Sequence, residues 1–169
     1  NPGDELIYMV PNYLQIRGVA RNIGVNIVEL PLREKLGWQW DINELESVIS
    51  NKTKMIAICH PNNPTGSIVS KENIKKIIDI ASKNDCWILS DEVYRGAELN
   101  GVESPSFYGS YEKTVVNAGL SKAYRLPGLR IGWTVGPKDY IKKAWAFHDY
   151  TSISIAYHSD WVASKVLDS

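Results

Sequence analysis

The amino-acid sequence predicts an α/β fold, with a mainly parallel sheet and helices on both of its faces. Short runs rich in β-branched residues, typical of strands, alternate along the 169 residues with amphipathic stretches, typical of helices. These runs are almost continuously apolar, which is typical of strands buried on both faces. The connection between the last two runs is too short for a crossover helix, so that pair is predicted to be antiparallel.

The predicted elements follow one another without an internal repeat or a low-complexity tract. Strands are predicted at residues 5–10, 26–30, 54–59, 86–90, 113–118 and 129–135. Helices are predicted at residues 12–23, from residue 41, at about 70–84, and after residue 138 with a break around 151–155. Gly24 ends the first helix, because glycine readily adopts the left-handed conformation found there. Asp41 begins the second, with Glu44 three residues later in a capping-box-like pair.

The third predicted helix has an apolar face at helical spacing. Its members are Ile74, Ile77, Ile78 and Ala81. We expect this face to pack against the sheet.

The composition argues against several classes of protein. Lys and Arg together number 19, as do Asp and Glu, so the formal net charge is zero. Nucleic-acid and membrane-surface binders depend on excess positive charge. Cys59 and Cys86 lie in apolar runs and offer no disulfide framework or metal pair. The apolar runs are too short to span a bilayer and no apolar leader opens the sequence, so we expect a cytoplasmic protein.

Polar residues follow several of the predicted strands. They are Asn63, Asp91, Tyr94 and Lys122. Ligands of parallel α/β sheets bind at the carboxyl ends of the strands, so this placement points to a site. The glycine-rich motifs of nicotinamide and P-loop sites are absent.

The residue types alone leave each role open. Lys122 is either a solvated surface charge or a desolvated amine that attacks a carbonyl to form a Schiff base. Asp91 either caps the following segment or lies buried and needs a cationic partner such as a pyridinium nitrogen. Asn63 lies in a stiff turn that fixes its amide. His60 merely precedes that turn, and the three histidines lack the spacing of a metal site.

Three segments together resemble the class I/II aminotransferases, fold-type I enzymes that depend on pyridoxal 5′-phosphate (PLP). They are HPNNPTG at 60–66, SDEVY at 90–94, and SK at 121–122 followed by LPGLRIGW at 126–133. The spacings from Asn63 to Asp91 and from Asp91 to Lys122 are natural for that family. The resemblance extends from Pro2 almost to the end of the chain.

The resemblance implies roles at the reactive end of the cofactor. Lys122 would hold PLP as an internal aldimine and move the proton between the substrate Cα and the cofactor. Asp91 would pair with the protonated pyridine nitrogen and keep the ring an electron sink. Asn63 and Tyr94 would hydrogen-bond the ionised 3′-oxygen and help to set the pKa of the imine.

The resemblance also implies contacts with the phosphate and the ring. Arg130 would bind the phosphate through its guanidinium. Tyr13 would stack on the ring, although a core position at the start of a helix is the alternative. Two residues depart from the family pattern. Gly119 stands where a Ser or Thr of the phosphate cup is often found, and Arg125 stands where glycine is common; we expect Arg125 to face solvent.

A PLP-dependent aminotransferase that acts on an amino acid and a 2-oxo acid, as a homodimer, is therefore the function that the resemblance implies. A PLP-dependent lyase, decarboxylase or cyclising synthase, or a non-catalytic cofactor-binding remnant, remains an alternative. Family chains are much longer, so we expect residues 1–169 to be part of the large domain, without the N-terminal segment and the C-terminal small domain. By itself such a piece is expected to be inactive.

Overall fold

A computed structural model describes residues 1–168 and contains one six-stranded sheet. The strands are β1 (Glu5–Val10), β2 (Asn26–Pro31), β3 (Thr53–Cys59), β4 (Trp87–Asp91), β5 (Thr114–Gly119) and β6 (Gly132–Val135). The helices are α1 (Gln15–Asn22), α2 (Ile42–Val48), α3 (Lys71–Lys83), α4 (Lys138–His148) and α5 (Tyr157–Leu167). Among these described residues, no helix is long and apolar enough to cross a membrane.

The strand order is β2-β1-β3-β4-β5-β6, and all neighbours are parallel except β5 and β6. The predicted fold class is thus confirmed, including the antiparallel last pair. The chain runs outward from β1 to β2 and then returns to β3 on the other side of β1. A reversal of this kind opens a crevice at the carboxyl ends of the strands.

Alternating side chains on the strands divide the core between the two faces of the sheet. On one face Ile7, Ile56 and Ile88 belong to a large buried cluster that also includes residues of α2 and α3. On the other face Leu6 and Tyr8 form a smaller cluster with α1. Both faces are therefore packed against helices, as the continuous apolar runs predict.

The predicted apolar face of α3 is largely correct. Ile74, Ile77 and Ala81 are buried, but Ile80 is buried in place of Ile78, which packs only partly against the core. Ile80 and Ile77 lie three positions apart, so the helix presents a slightly rotated face to the sheet.

Tertiary contacts shift several element ends from their predicted positions. The first helix begins at Gln15, because the Tyr8 hydroxyl donates to the carbonyl of Tyr13 and holds the preceding residues outside the helix. Asp41 caps α2, accepting from Asn43 N at 2.9 Å. The predicted capping box is wrong, because the Glu44 carboxylate pairs with Arg33 instead.

The last strand begins later than predicted. Pro127–Leu129 form a 3-10 turn, and Arg130 follows in the left-handed region with φ of 56°. This turn occupies the first part of the predicted run, so extended pairing with β5 begins only at Gly132.

Candidate active site

A cleft of about 850 Å³ opens at the carboxyl ends of β3, β4 and β5. All six residues that the sequence nominates line it: Tyr13, Asn63, Asp91, Tyr94, Lys122 and Arg130. They come from five separate segments of the chain, and parallel strand ends bring most of them to one edge of the sheet.

The turn at residues 61–66 fixes the direction of Asn63. The buried Asn62 closes this turn, because its Oδ1 accepts from Thr65 N at 3.2 Å and from Thr65 Oγ1 at 2.7 Å. The backbone N–H of Gly66 donates to Asn62 O at 2.8 Å. Asn63 is left free to project its amide, and its Nδ2 donates to the Tyr94 hydroxyl at 3.4 Å.

Asp91 ends β4 and is largely withdrawn from water. Its Oδ1 accepts from Val93 N at 3.2 Å. Within residues 1–168, no Lys, Arg or His forms an ion pair with it. Burial raises the pKa of this carboxyl above its usual value, the Val93 N–H opposes that change, and the neighbouring Glu92 adds to it. Within the described part of the chain, the site therefore contains a partly buried acid that has no cation of its own.

Lys122 lies in the short loop after β5. The loop is closed by hydrogen bonds from Arg125 N to Lys122 O and from Leu126 N to Leu120 O, each 2.9 Å long. Lys122 Nζ lies 5.5 Å from the centre of the Tyr94 ring, within range of a cation–π contact. Its side chain is exposed, so the amine is accessible from the cleft.

Arg130 also reaches the cleft from an exposed position. Its Nη1 donates to Pro127 O at 2.8 Å, which leaves most of the guanidinium donors available. Tyr13 is 57% exposed, so the alternative of a core position for this ring is wrong. The backbone of Tyr13 is held by the Tyr8 hydroxyl, and burial raises the pKa of that phenol to about 12.

The sequence reasoning did not nominate several residues that line the same cleft. Asn117 lies beside Asp91 in the sheet register, and its Oδ1 accepts from Thr134 Oγ1 at 2.8 Å. A polar residue within the apolar run of β5 was the available signal. Cys59 also lines the cleft, but burial raises the pKa of its thiol to about 12 and keeps it protonated.

The two departures from the family pattern have different structural settings. A Cβ on Gly119 would lie 3.0 Å from the carbonyl oxygen of Ile131 and 3.1 Å from the Cα of Gly132, both backbone atoms of the antiparallel partner. Glycine therefore permits the close approach of β5 and β6. Arg125 is exposed, adopts the left-handed region with φ of 58°, and is not among the residues that line the cleft.

Comparisons with known proteins agree on one family. The model of the family described as aminotransferase class I and II matches residues 1–168. The mouse (Mus musculus) kynurenine–oxoglutarate transaminase 3 is 34% identical over 154 residues, which cover 84% of this chain and 34% of that protein. An aspartate aminotransferase of Pyrococcus horikoshii is 36% identical over 155 residues, covering 91% and 40%.

A solved structure has the same fold. It is a PLP-dependent aminotransferase from Streptococcus suis, with a TM-score of 0.90 and 35% identity over 96% of this chain and 43% of that one. The chain thus spans between 34% and 43% of the length of these three proteins.

Proposed function

We propose, because this chain belongs to the aminotransferase class I and II family, that it is the cofactor-binding part of an enzyme that transfers an amino group between an amino acid and a 2-oxo acid. Residues 1–169 would form part of the large domain, with the substrate carboxylate site supplied by segments outside them. The convergence of six nominated residues on one cleft, around a partly buried acid that forms no ion pair among the described residues, is the observation that carries the proposal. We also propose a homodimer, since that assembly is typical of the family.

The side chains of the cleft suit pyridoxal 5′-phosphate. The partly buried Asp91 carboxyl has a raised pKa, and its ionised form is costly there unless a ligand supplies a positive charge. A protonated pyridine nitrogen would do so, and Asp91 would hold the proton there. When bound, the cofactor draws electrons from the substrate Cα so that a Cα proton can leave.

Asn63 and Tyr94 would bind the 3′-oxygen of the cofactor. The Tyr94 hydroxyl already accepts from Asn63, and among residues 1–168 its own proton has no hydrogen-bond acceptor. Both side chains therefore have N–H or O–H donors left for a ligand oxygen. Their paired approach places two donors on one side of the cleft, as an ionised oxygen requires.

Lys122, Arg130 and Tyr13 would complete the contacts. Lys122 would hold the cofactor through a carbon–nitrogen bond to Nζ. After the substrate amino group displaces Nζ from that bond, the freed Lys122 amine would accept and return the substrate Cα proton. Arg130 would bind the phosphate with the guanidinium donors that Pro127 leaves free. Tyr13 would lie against the ring from the rim of the cleft.

Substitution of Lys122 tests this assignment in the complete protein that carries the chain. With PLP added, the wild type is expected to show the absorption band of lysine-bound cofactor. Lys122→Ala is expected to abolish that band and activity, because Lys122 is the one lysine among the described residues that line the cleft. Lys75→Ala on the exposed side of α3 is the matched control and should keep the band. A band that survives in Lys122→Ala would overturn the assignment.

The reaction class needs a separate measurement. Incubation with a panel of amino acids and 2-oxoglutarate is expected to produce glutamate along with a new 2-oxo acid. Release of an oxo acid without glutamate would instead indicate a lyase. The two relatives named for kynurenine and aspartate show that family membership does not determine the substrate.

A further inference from the structure

Two fully buried polar residues adjoin the site but have no part in the proposed reaction. His60 is 0% exposed and immediately precedes the turn that carries Asn63. Glu92 is 3% exposed and immediately follows Asp91. Buried polar groups of this kind are retained at a cost unless their hydrogen bonds are satisfied, so their partners indicate what they hold.

The His60 ring joins two segments. Val69 N donates to Nδ1 at 3.0 Å, so Nδ1 carries a lone pair and the ring proton resides on Nε2. Nε2 then donates to Pro105 O at 2.7 Å. Burial lowers the pKa of His60, which keeps this neutral tautomer.

Glu92 binds the same distant segment from the other strand end. Its Oε1 accepts from Phe107 N at 2.9 Å and from Ser90 Oγ at 3.0 Å. The buried Phe107 ring meets the His60 ring edge-on, with 5.8 Å between the ring centres and 89° between the planes. Two members of the segment at residues 104–107, Pro105 and Phe107, are thus bound by side chains from the ends of both strands. We refer to His60, Glu92 and the bound residues 104–107 as the clasp.

The clasp lies beside the two loops that carry Asn63 and Tyr94. Asn63 and Tyr94 belong to two different loops, and their 3.4 Å contact depends on how those loops sit relative to each other. The two strand ends are paired in the sheet, with Cys59 opposite Asp91, and His60 N donates to Asp91 O at 2.8 Å. The clasp adds a side-chain link from each loop to one shared, buried segment.

We propose that His60 and Glu92 are positioning residues that fix the Asn63–Tyr94 pair by binding both strand ends to residues 104–107. The inference rests on the proposed function, since it concerns how the 3′-oxygen donors of that site are held. Glu92 also affects Asp91 by charge, because the neighbouring carboxylate contributes to the raised pKa of Asp91.

The test compares conservative with disruptive substitutions in the complete protein. His60→Gln keeps a donor near the Nε2 position, and Glu92→Gln keeps the Oε1 acceptor. His60→Leu removes that donor, and Glu92→Met removes that acceptor. Ile77→Ala is the control. Ile77 is buried in the same hydrophobic cluster as Phe107, but it lies on α3 and does not line the cleft. The melting temperature of every variant measures purely structural damage.

PLP affinity and spectrum report the positioning role. His60→Leu and Glu92→Met are expected to raise the Kd for PLP about ten-fold, as loss of an optimally placed donor pair would. The pH midpoint of the lysine-bound absorption band is expected to rise. Weakened donors stabilise the ionised 3′-oxygen less, so that oxygen holds the neighbouring imine proton more strongly and the pKa of the imine rises. His60→Gln and Glu92→Gln should restore most of both, and Ile77→Ala should change only the melting temperature.

Hydrogen–deuterium exchange of the cofactor-free protein provides a readout that needs no PLP. Faster exchange at residues 61–66 and 92–97 is expected in His60→Leu and Glu92→Met but not in Ile77→Ala. If wild-type protein fails to bind PLP, the proposed function is wrong, and exchange alone decides on the clasp. If the two disruptive variants lose thermal stability as Ile77→Ala does, with Kd, midpoint and loop exchange unchanged, the positioning role is refuted.

Discussion

Replacement of Asp91 by Asn is expected to change folding and cofactor binding in opposite directions. The hydrogen bond from Val93 N to Oδ1, 3.2 Å long, survives in Asp91→Asn because the amide keeps an acceptor at that position. The charge is lost. In the cofactor-free protein that charge has no cationic partner and lies beside Glu92, so its removal should stabilise the fold.

The sign of the pH dependence follows from the raised pKa of Asp91. The folded protein retains the proton where the unfolded chain, whose carboxyl has the ordinary value of 3.8, has already released it. Folding stability therefore falls as the pH rises from 3.8 through the folded-state pKa and stays lower above it. Asp91→Asn lacks this fall, so its stability gains on that of the wild type as the pH rises.

Cofactor binding should move the other way. Removal of one partner from a buried charge pair costs about 2 kcal/mol or more, which corresponds to roughly a 30-fold rise in the Kd for PLP. Urea unfolding of the cofactor-free protein between pH 4 and 8 measures the first effect, and PLP titration measures the second. Asp79→Asn, at an exposed carboxylate on α3, is the control and should change neither. Equal or lower stability of Asp91→Asn throughout this range, or an unchanged Kd, would refute the reasoning.

Two further predictions concern residues around the cleft. Gly119→Ser introduces a residue that the family often has at this position. It should lower the free energy of unfolding by about 1–3 kcal/mol, because its Cβ would press on the Ile131 carbonyl, and it should not tighten PLP binding. Chemical denaturation measures the first effect and PLP titration the second. The lowered pKa of His60 means that the unfolded chain binds a proton more readily than the folded protein does. Stability should fall as the pH drops below the ordinary value of 6.5, and His60→Gln should lack that component in urea midpoints compared between pH 5 and 8. An unchanged Gly119→Ser protein, or identical pH profiles for wild type and His60→Gln, would contradict these expectations.

Most of the fold could be predicted, because strands that are buried on both faces need nearly continuous apolar runs, and such runs are visible in the sequence. β1 occupies the predicted residues 5–10. The ends of β2, β3, β4 and β5 lie within one residue of their predicted positions. The errors arise where a distant side chain competes for a local group. Arg33 takes the Glu44 carboxylate that a capping box would use, and the Tyr8 hydroxyl takes the carbonyl of Tyr13. Such competition depends on tertiary contacts that local periodicity does not contain.

The placement of the site was predictable for a similar reason. Asp91 ends a strand, Asn63 and Lys122 lie a few residues after one, and parallel strands end at one edge of the sheet. His60 could not be recognised in this way, because its partner Pro105 lies in a segment without regular structure. A residue that merely precedes a turn in the sequence is, in the fold, a buried link between the end of β3 and the segment that contains Pro105.

The depth of each charge in the cleft gives a further reason why one kind of ligand fits. The acid, Asp91, is withdrawn from water, whereas the two cations, Lys122 and Arg130, are exposed near the mouth. A ligand with an anionic end and a cationic ring atom can satisfy this arrangement only in one orientation, with the anion outward and the ring atom inward. Desolvation makes the inner contact the more selective of the two, because an unpaired acid there is costly and an unpaired surface cation is not. In the proposed complex the partly buried carboxyl would therefore determine the orientation of the ligand, and the exposed cations would contribute to its capture.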